Sequence, residues 1–366
     1  LWGKDAKKEF RYWMSADGTD TFSEMNKLFE YNSNPRETPT DIFCYDQDGN
    51  LYILWKDSSN YKVRRFALKG DGSYDMQGVD ASLAALHIFA IAVDISDGQN
   101  SLYYAYKDSP KGHIEKYSWS NSFNTGSISG YGVSFEADNA PVTALAANKD
   151  GVFAGVKETY QDGGGIDKYR LKVKKYKKSD GTPDGELTLV DDAPVYTNAS
   201  GTPIGSGSHT DNIRIQYGEA INDLEVFDGA LYALSSQSNE LRKYDSHYWM
   251  DAFKNSGILY KIGSTNDSLS GNAVVLAKKD WNDTTKIGYG FYRFIAVKYD
   301  EAERIKLIIA SDGAWGEGGL PLGSSPDVLK NTDKVLEYDL KGSLQGEQNS
   351  GGSFSKVLQE SGFEWN

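Results

Sequence analysis

One cysteine, nine prolines and four histidines in 366 residues rule out several ways of building a protein or a site. With Cys44 alone, no intramolecular disulfide and no cysteine metal cluster can form. Its place beside Ile42 in an apolar strand pattern reads as a small buried hydrophobe. His87, His113, His209 and His247 are scattered, and none belongs to an HxH or HExxH pattern. No apolar run is long enough to cross a bilayer; the richest, Leu83 to Val93, is short and contains His87. A basic surplus is missing too. Lys and Arg number 39 against 52 Asp and Glu, and the net charge of −13 argues against nucleic acid as a partner. The segment Gly313 to Gly319 lacks the GK[ST] ending of a phosphate loop, and Gly205-Ser-Gly-Ser-His209 is no nucleophile elbow.

Present instead are 24 tyrosines and 38 glycines, a composition that suits many short strands joined by tight turns. The stretch Asp46-Gln-Asp-Gly-Asn50 begins like a calcium loop. An EF-hand needs Gly at position 6 and Glu at position 12, where this chain has Leu51 and Asp57. Leu51-Tyr-Ile-Leu-Trp55 then reads as a strand that cannot wrap an ion, so DQDGN is read as a hairpin turn. The basic run Lys168 to Lys178 alternates Lys168, Arg170, Lys172 and Lys174 with Tyr169, Leu171 and Val173. That is a half-buried strand with a solvated face; an anion- or partner-binding stripe is the rival reading.

The same turn recurs. Thr40 to Leu54, Val142 to Gly155 and Ile221 to Leu234 each give a strand, an Asp/Asn-Gly turn and a second strand opening on Leu-Tyr or Val-Phe. Ile91 to Ala105 and Phe294 to Ile309 are variants, the latter without the glycine. A third strand follows at Tyr61–Phe66, Ile114–Trp119, Tyr169–Tyr176, Leu241–Tyr244 and Val335–Leu340. A fourth is expected at Met76–Val79, Gly132–Phe135, Glu186–Val190, Ala273–Ala277 and Ser355–Leu358. Repeated four-stranded units that cannot bury their own faces describe an all-β propeller. The expected blades run approximately 40–80, 90–136, 142–196, 221–278 and 293–360. A further blade is shared by 1–34 and 360–366, with Phe363-Glu-Trp365 closing the ring, which makes a single domain of six blades with five or seven as alternatives. Thr21 to Glu24 also fits a capping box, so residues 21–30 could instead form a helix.

Leu51-Tyr52, Leu102-Tyr103 and Leu231-Tyr232, with Lys116-Tyr117, Lys243-Tyr244 and Glu337-Tyr338-Asp339-Leu340, resemble the strands of bacterial envelope β-propeller lipoproteins of unknown function. The resemblance implies an extracytoplasmic protein, in the cell envelope or secreted. It fits a chain beginning at Leu1, after removal of a signal or lipoprotein leader bearing a lipid anchor. The leading expectation is a non-enzymatic binding or scaffold propeller that recognises a protein, glycan or small ligand through loops on one face. Those loops are 197–220, 246–290 and 312–333, with His209, Trp249 and Trp315 as candidate contacts. At the channel mouth, Asp41, Thr143, Asn222, Asp223 and Arg293 are the candidate binding residues, with Ala90 at the corresponding place in the second blade. The alternative is a divalent-metal-dependent hydrolase or lactonase in the central channel. Asp41, Asn222, Asp223 and Glu225 would then imitate the calcium ligands of six-bladed lactonases; otherwise no cofactor is expected.

Overall fold

The computed structural model describes residues 9–12, 26–30, 37–194, 220–238 and 255–279, with short gaps inside these ranges. Beyond them it describes the backbone of strands at 291–299, 305–312, 333–339 and 344–349. Strands β1 (Glu9–Tyr12) and β2 (Asn26–Glu30) form a two-stranded antiparallel sheet. The first blade is β3 (Glu37–Tyr45), β4 (Leu51–Asp57), β5 (Asn60–Phe66) and β6 (Val79–Leu83). The second is β7 (Ile88–Asp94), β8 (Asn100–Asp108), β9 (Lys111–Trp119) and β10 (Ser127–Glu136). The third is β11 (Val142–Asn148), β12 (Gly151–Gln161), β13 (Asp167–Tyr176) and β14 (Pro183–Pro194). The fourth is β15 (Ala220–Phe227), β16 (Ala230–Ser238), β17 (Asn255–Ser264) and β18 (Val274–Lys279). The fifth is β19 (Phe291–Tyr299), β20 (Ile305–Asp312), β21 (Asp333–Asp339) and β22 (Leu344–Asn349).

Each four-stranded sheet is a sequential antiparallel meander, and the first strands β3, β7, β11, β15 and β19 lie against one another in turn. This is a β-propeller arrangement. Among the described residues there are five four-stranded sheets and one two-stranded sheet, so the expected sixth blade is represented only by β1 and β2. The closing segment Phe363 to Trp365 lies outside the described residues. Residues 26–30 are strand, which corrects the capping-box reading over that part of 21–30. Three strand positions are also corrected. The fourth strand of blade one is Val79–Leu83, and that of blade five is Leu344–Asn349. The third strand of blade four is Asn255–Ser264, inside the expected loop 246–290, while 241–244 lies outside the described residues. No helix among the described residues is long and apolar enough to cross a membrane.

A blade has two neighbours, so both faces of its sheet must be apolar, and the strands lose the polar alternation of a one-sided sheet. Ile91 and Val93 join Tyr52, Leu54 and Val63 between blades one and two, while Ala90 and Ala92 join Val152, Ala154 and Val156 between blades two and three. Side chains grow larger away from the inner strands. Phe123 packs edge-on against Tyr52 and Trp119 at 5.4 and 4.9 Å between centroids. Near the axis the backbones approach closely: a Cβ on Gly155 would sit 2.8 Å from Ile221 Cβ in the next blade.

The hairpin ends are held by buried polar groups. Asp46 Oδ1 accepts from Asp48 N, Asn50 N and Asn50 Nδ2, and Oδ2 accepts from Tyr52 OH at 2.9 Å. Gly49 takes φ +79°, which a side chain would resist, so DQDGN is a turn whose leading carboxylate is already occupied. Asp94, fully buried, accepts from Ser96 and Gln47 and pairs with Lys178, thereby tying blades one, two and three. Asn148 Nδ2 donates to Thr265 Oγ1 at 3.0 Å, which joins blades three and four. Gly155→Val should therefore destabilise by roughly 1–3 kcal/mol through overpacking. Asp94→Ala should cost roughly 2–4 kcal/mol by breaking a buried ion pair. Asp48→Ala, at an exposed turn position, should change little; urea unfolding of the three variants checks the order.

Candidate active site

Counting along the inner strands from their hairpin ends places blades one to four in one frame. The aromatic of each Leu-Tyr or Val-Phe pair faces one inner-strand residue: Tyr52 faces Cys44, Tyr103 faces Ala92, Phe153 faces Ala146, and Tyr232 faces Glu225. Two residues earlier stand Ala90, Ala144 and Asp223 in blades two, three and four. The repeat puts small apolar groups at these positions, and blade four puts two carboxyl groups there. Pairing is regular from Asp223 to Phe227, so Asp223 and Glu225 share a face of β15. Leu224, between them, points the other way into the core against blade three.

The surroundings of Glu225 are those of an acid rather than a surface carboxylate. It is half-buried, and its carboxyl is pushed up to about 8, first by desolvation and second by the Asp223 charge. Asp223 Oδ1 is itself held by Leu224 N at 2.9 Å. Across from β15 stands β3. Burial, then Asp46, Glu225 and Asp223, raise the Cys44 thiol, and burial, Tyr74, Cys44 and Glu225 raise the Tyr45 hydroxyl. Yet the Tyr45 side chain keeps 48 % of its surface accessible. The ring meets Phe43 edge-on at 5.9 Å between centroids.

The expected channel-mouth residues meet a common backbone feature. Each inner hairpin slips register near its start: between Pro39 and Phe43, Ile88 and Ala90, Val142 and Ala144, Ile221 and Asp223, and Tyr292 and Phe294. Asp41, Thr143, Asn222 and Arg293 lie within these bulges, and Asp223 follows one directly. Thr143 and Asn222 are half-buried, and Thr143 Oγ1 donates to Ile221 O at 2.7 Å across the blade boundary. The side chains of Asp41 and Arg293 lie outside the described residues, as do His209, Trp249 and Trp315 altogether. In blade two the bulged residue is Phe89 rather than Ala90, which is buried. Sequence reasoning missed Phe89 and Tyr45. The first was displaced by one residue of slip, and the second sat in a strand whose two faces both read as apolar.

Among the described residues no group of three or more His, Cys, Asp or Glu side chains is arranged to hold a metal ion. The basic run on β13 is a solvated face, as expected. Lys172 and Lys174 pair with Glu158 at 2.9 and 2.8 Å and Lys168 with Asp162 at 3.3 Å, while Leu171 and Val173 are buried.

No family model and no curated protein matches this chain. Solved structures do. One is an exo-1,5-α-L-arabinanase from a bovine ruminal metagenomic library, 10 % identical, covering 88 % of this chain and 96 % of that one, TM-score 0.36. A second is an exo-β-1,3-galactanase from Phanerochaete chrysosporium, 10 % identical, covering 97 % and 84 %, TM-score 0.40. A third is a GH43_1 enzyme from Xanthomonas citri, 13 % identical, covering 84 % and 93 %, TM-score 0.37. These three neighbours are enzymes, in contrast to the non-enzymatic binding or scaffold propeller expected from the sequence.

Glu225 also sets a pH dependence. Between about 4.5, its ordinary value, and about 8 the folded chain holds a proton that the unfolded chain has released. Stability therefore falls as pH rises through that window and levels off above it. Thermal melts should show Glu225→Gln gaining on the wild type from pH 5 to pH 8, by a few kcal/mol at most, each tenfold proton affinity being worth roughly 1.4 kcal/mol. A constant difference across that range would contradict the buried-acid assignment.

Proposed function

We propose that this protein is a hydrolase of glycosidic bonds that works by carboxyl acid–base chemistry at the inner strand of its fourth blade. The observation that carries the reading is the pair Asp223 and Glu225, standing on one face of β15 where blades two and three place alanine, with the Glu225 carboxyl pushed up by burial and by the Asp223 charge. Hydrolysis of an acetal needs a proton delivered to the leaving oxygen and a carboxylate to answer the positive charge that develops on the sugar ring. Glu225 fits the first role, because an acid with its value raised to about 8 still holds its proton at pH 7. Asp223 fits the second. One strand repeat separates the two residues, about 6.8 Å between Cα atoms, which leaves room for a scissile bond or a water between the carboxyl groups.

Release of 4-nitrophenol from a panel of aryl glycosides tests the assignment. Glu225→Gln should lower kcat by roughly 10²–10⁴-fold, the usual worth of a positioned general acid. The loss should shrink on 2,4-dinitrophenyl glycosides, whose leaving group needs no proton. Wild-type activity should decline above about pH 8 as the acid ionises. Retained activity in Glu225→Gln on poor leaving groups would sink the proposal. Activity abolished by chelation and restored by calcium would favour the metal-dependent alternative instead.

A further inference from the structure

The register slips do more than shape the strands. In β7 and in β11 the burial sequence is the same: one half-buried residue, Phe89 or Thr143, in a strand otherwise wholly buried. That residue is in each case the one the bulge leaves without a partner on the neighbouring strand. A bulge turns its extra residue out of the pleat and re-aims the side chain. Because β3, β7, β11, β15 and β19 are neighbours and all slip near their first residues, the re-aimed positions gather at one end of the channel. Just before the slip in blade two, His87 takes φ +56°, the only positive value among the described non-glycine residues, so the backbone there carries strain of the kind found at ligand sites.

We infer that this ring of bulged residues reads a neutral sugar chain on its way to Asp223 and Glu225. The inference rests on the glycosidase reading and names what its site accepts. Phe89 offers an apolar ring face, Asn222 an amide that both donates and accepts, and Thr143 a hydroxyl already engaged with Ile221 O that fixes the Asn222 bulge. A flat apolar surface beside amide and hydroxyl groups matches the alternating C–H faces and hydroxyl edges of a pyranose or furanose. Glu225 lies three residues further along β15 than Asn222, or ~10 Å down the strand. Tyr45, at the hairpin end of β3, is exposed and feels the Glu225 charge. The chain's charge of −13 and the Asp223 carboxylate beside a protonated Glu225 disfavour uronates and phosphorylated sugars, so the ligand is uncharged.

The test separates binding from turnover. Titration calorimetry on Glu225→Gln, with maltotetraose, cellotetraose, xylotetraose and trigalacturonate, should find one neutral oligosaccharide that binds and no binding of the uronate. In that background Phe89→Ala and Asn222→Ala should each weaken binding about tenfold, the equivalent of roughly 1.4 kcal/mol. Phe89→Tyr should restore most of it, and melting curves show whether each variant is folded. Unchanged affinity in folded Phe89→Ala and Asn222→Ala overturns the inference, as does tighter binding of trigalacturonate or binding of none of the four. The two readings fail separately. Saccharide binding that depends on Phe89 and Asn222 in a protein that hydrolyses no glycoside would leave the ring standing and remove the enzyme. Hydrolysis whose KM ignores both residues would do the reverse.

Discussion

Sheets that converge on one axis run out of room where they meet. Between the second strand of blade three and the inner strand of blade four, a single methyl group on Gly155 would already press on Ile221. That crowding explains the alanines at 90, 92, 144 and 146, all buried, and the growth of side chains outward to Tyr104, Trp119 and Phe123. It also explains why the hairpin ends are fastened by polar groups. A wedge of sheets has little apolar area near its point, so Asp94, Asn148 and Thr265 supply directional bonds between blades where burial supplies least.

Against that constraint, Asp223 and Glu225 stand out. Blade four gives up two small apolar contacts for two ionisable groups, and the interior answers by keeping a proton on Glu225 at neutral pH. Desolvation and the neighbouring charge act in the same direction, so the pair is a standing cost to the fold above the carboxylic range. A repeat that departs from its own pattern at a destabilising site, in one blade among five sheets, is better explained by chemistry than by packing. The same departure separates this site from the other acidic residues near the axis. Asp46 and Asp94 are saturated by donors from their own turns and from neighbouring blades, and nothing in their surroundings sets them aside for a ligand.

Much of the architecture was legible because it was repeated. The Asp/Asn-Gly turn, with Leu-Tyr or Val-Phe after it, locates four inner hairpins, and the fifth follows from its apolar strands without the glycine. Local patterns failed where they were not unique. Leu241-Arg-Lys-Tyr244 and Leu259-Tyr260-Lys261 both look like a third strand, and β17 contains the second. The carboxyl pair was visible as letters, but its shared face depends on regular pairing after Asn222, which only the register shows. Phe89 was hidden by one residue of slip. Tyr45 was hidden because a blade buries both faces, so hydrophobic alternation cannot say which side of β3 looks into open space.

That slip recurs in all five inner hairpins, although the side chains at it have nothing in common: Thr, Phe, Asn and Arg in the described sequence of bulges, with Asp41 inside the longest. A side-chain preference therefore does not cause it. Backbone geometry does: strands that close around an axis must bend and twist more sharply at one end, and an extra residue provides both. The consequence reaches function. In blades two and three the bulged residue is the one half-buried position of an otherwise buried inner strand. Substitution at Phe89 should therefore disturb the packing less than substitution at the buried Ala90 or Ala92. At the alanine positions one step deeper the opposite holds, and any new side chain must be accommodated by the whole wedge. On the proposed reading, recognition can change at the bulges while the acid pair stays fixed in the fourth blade.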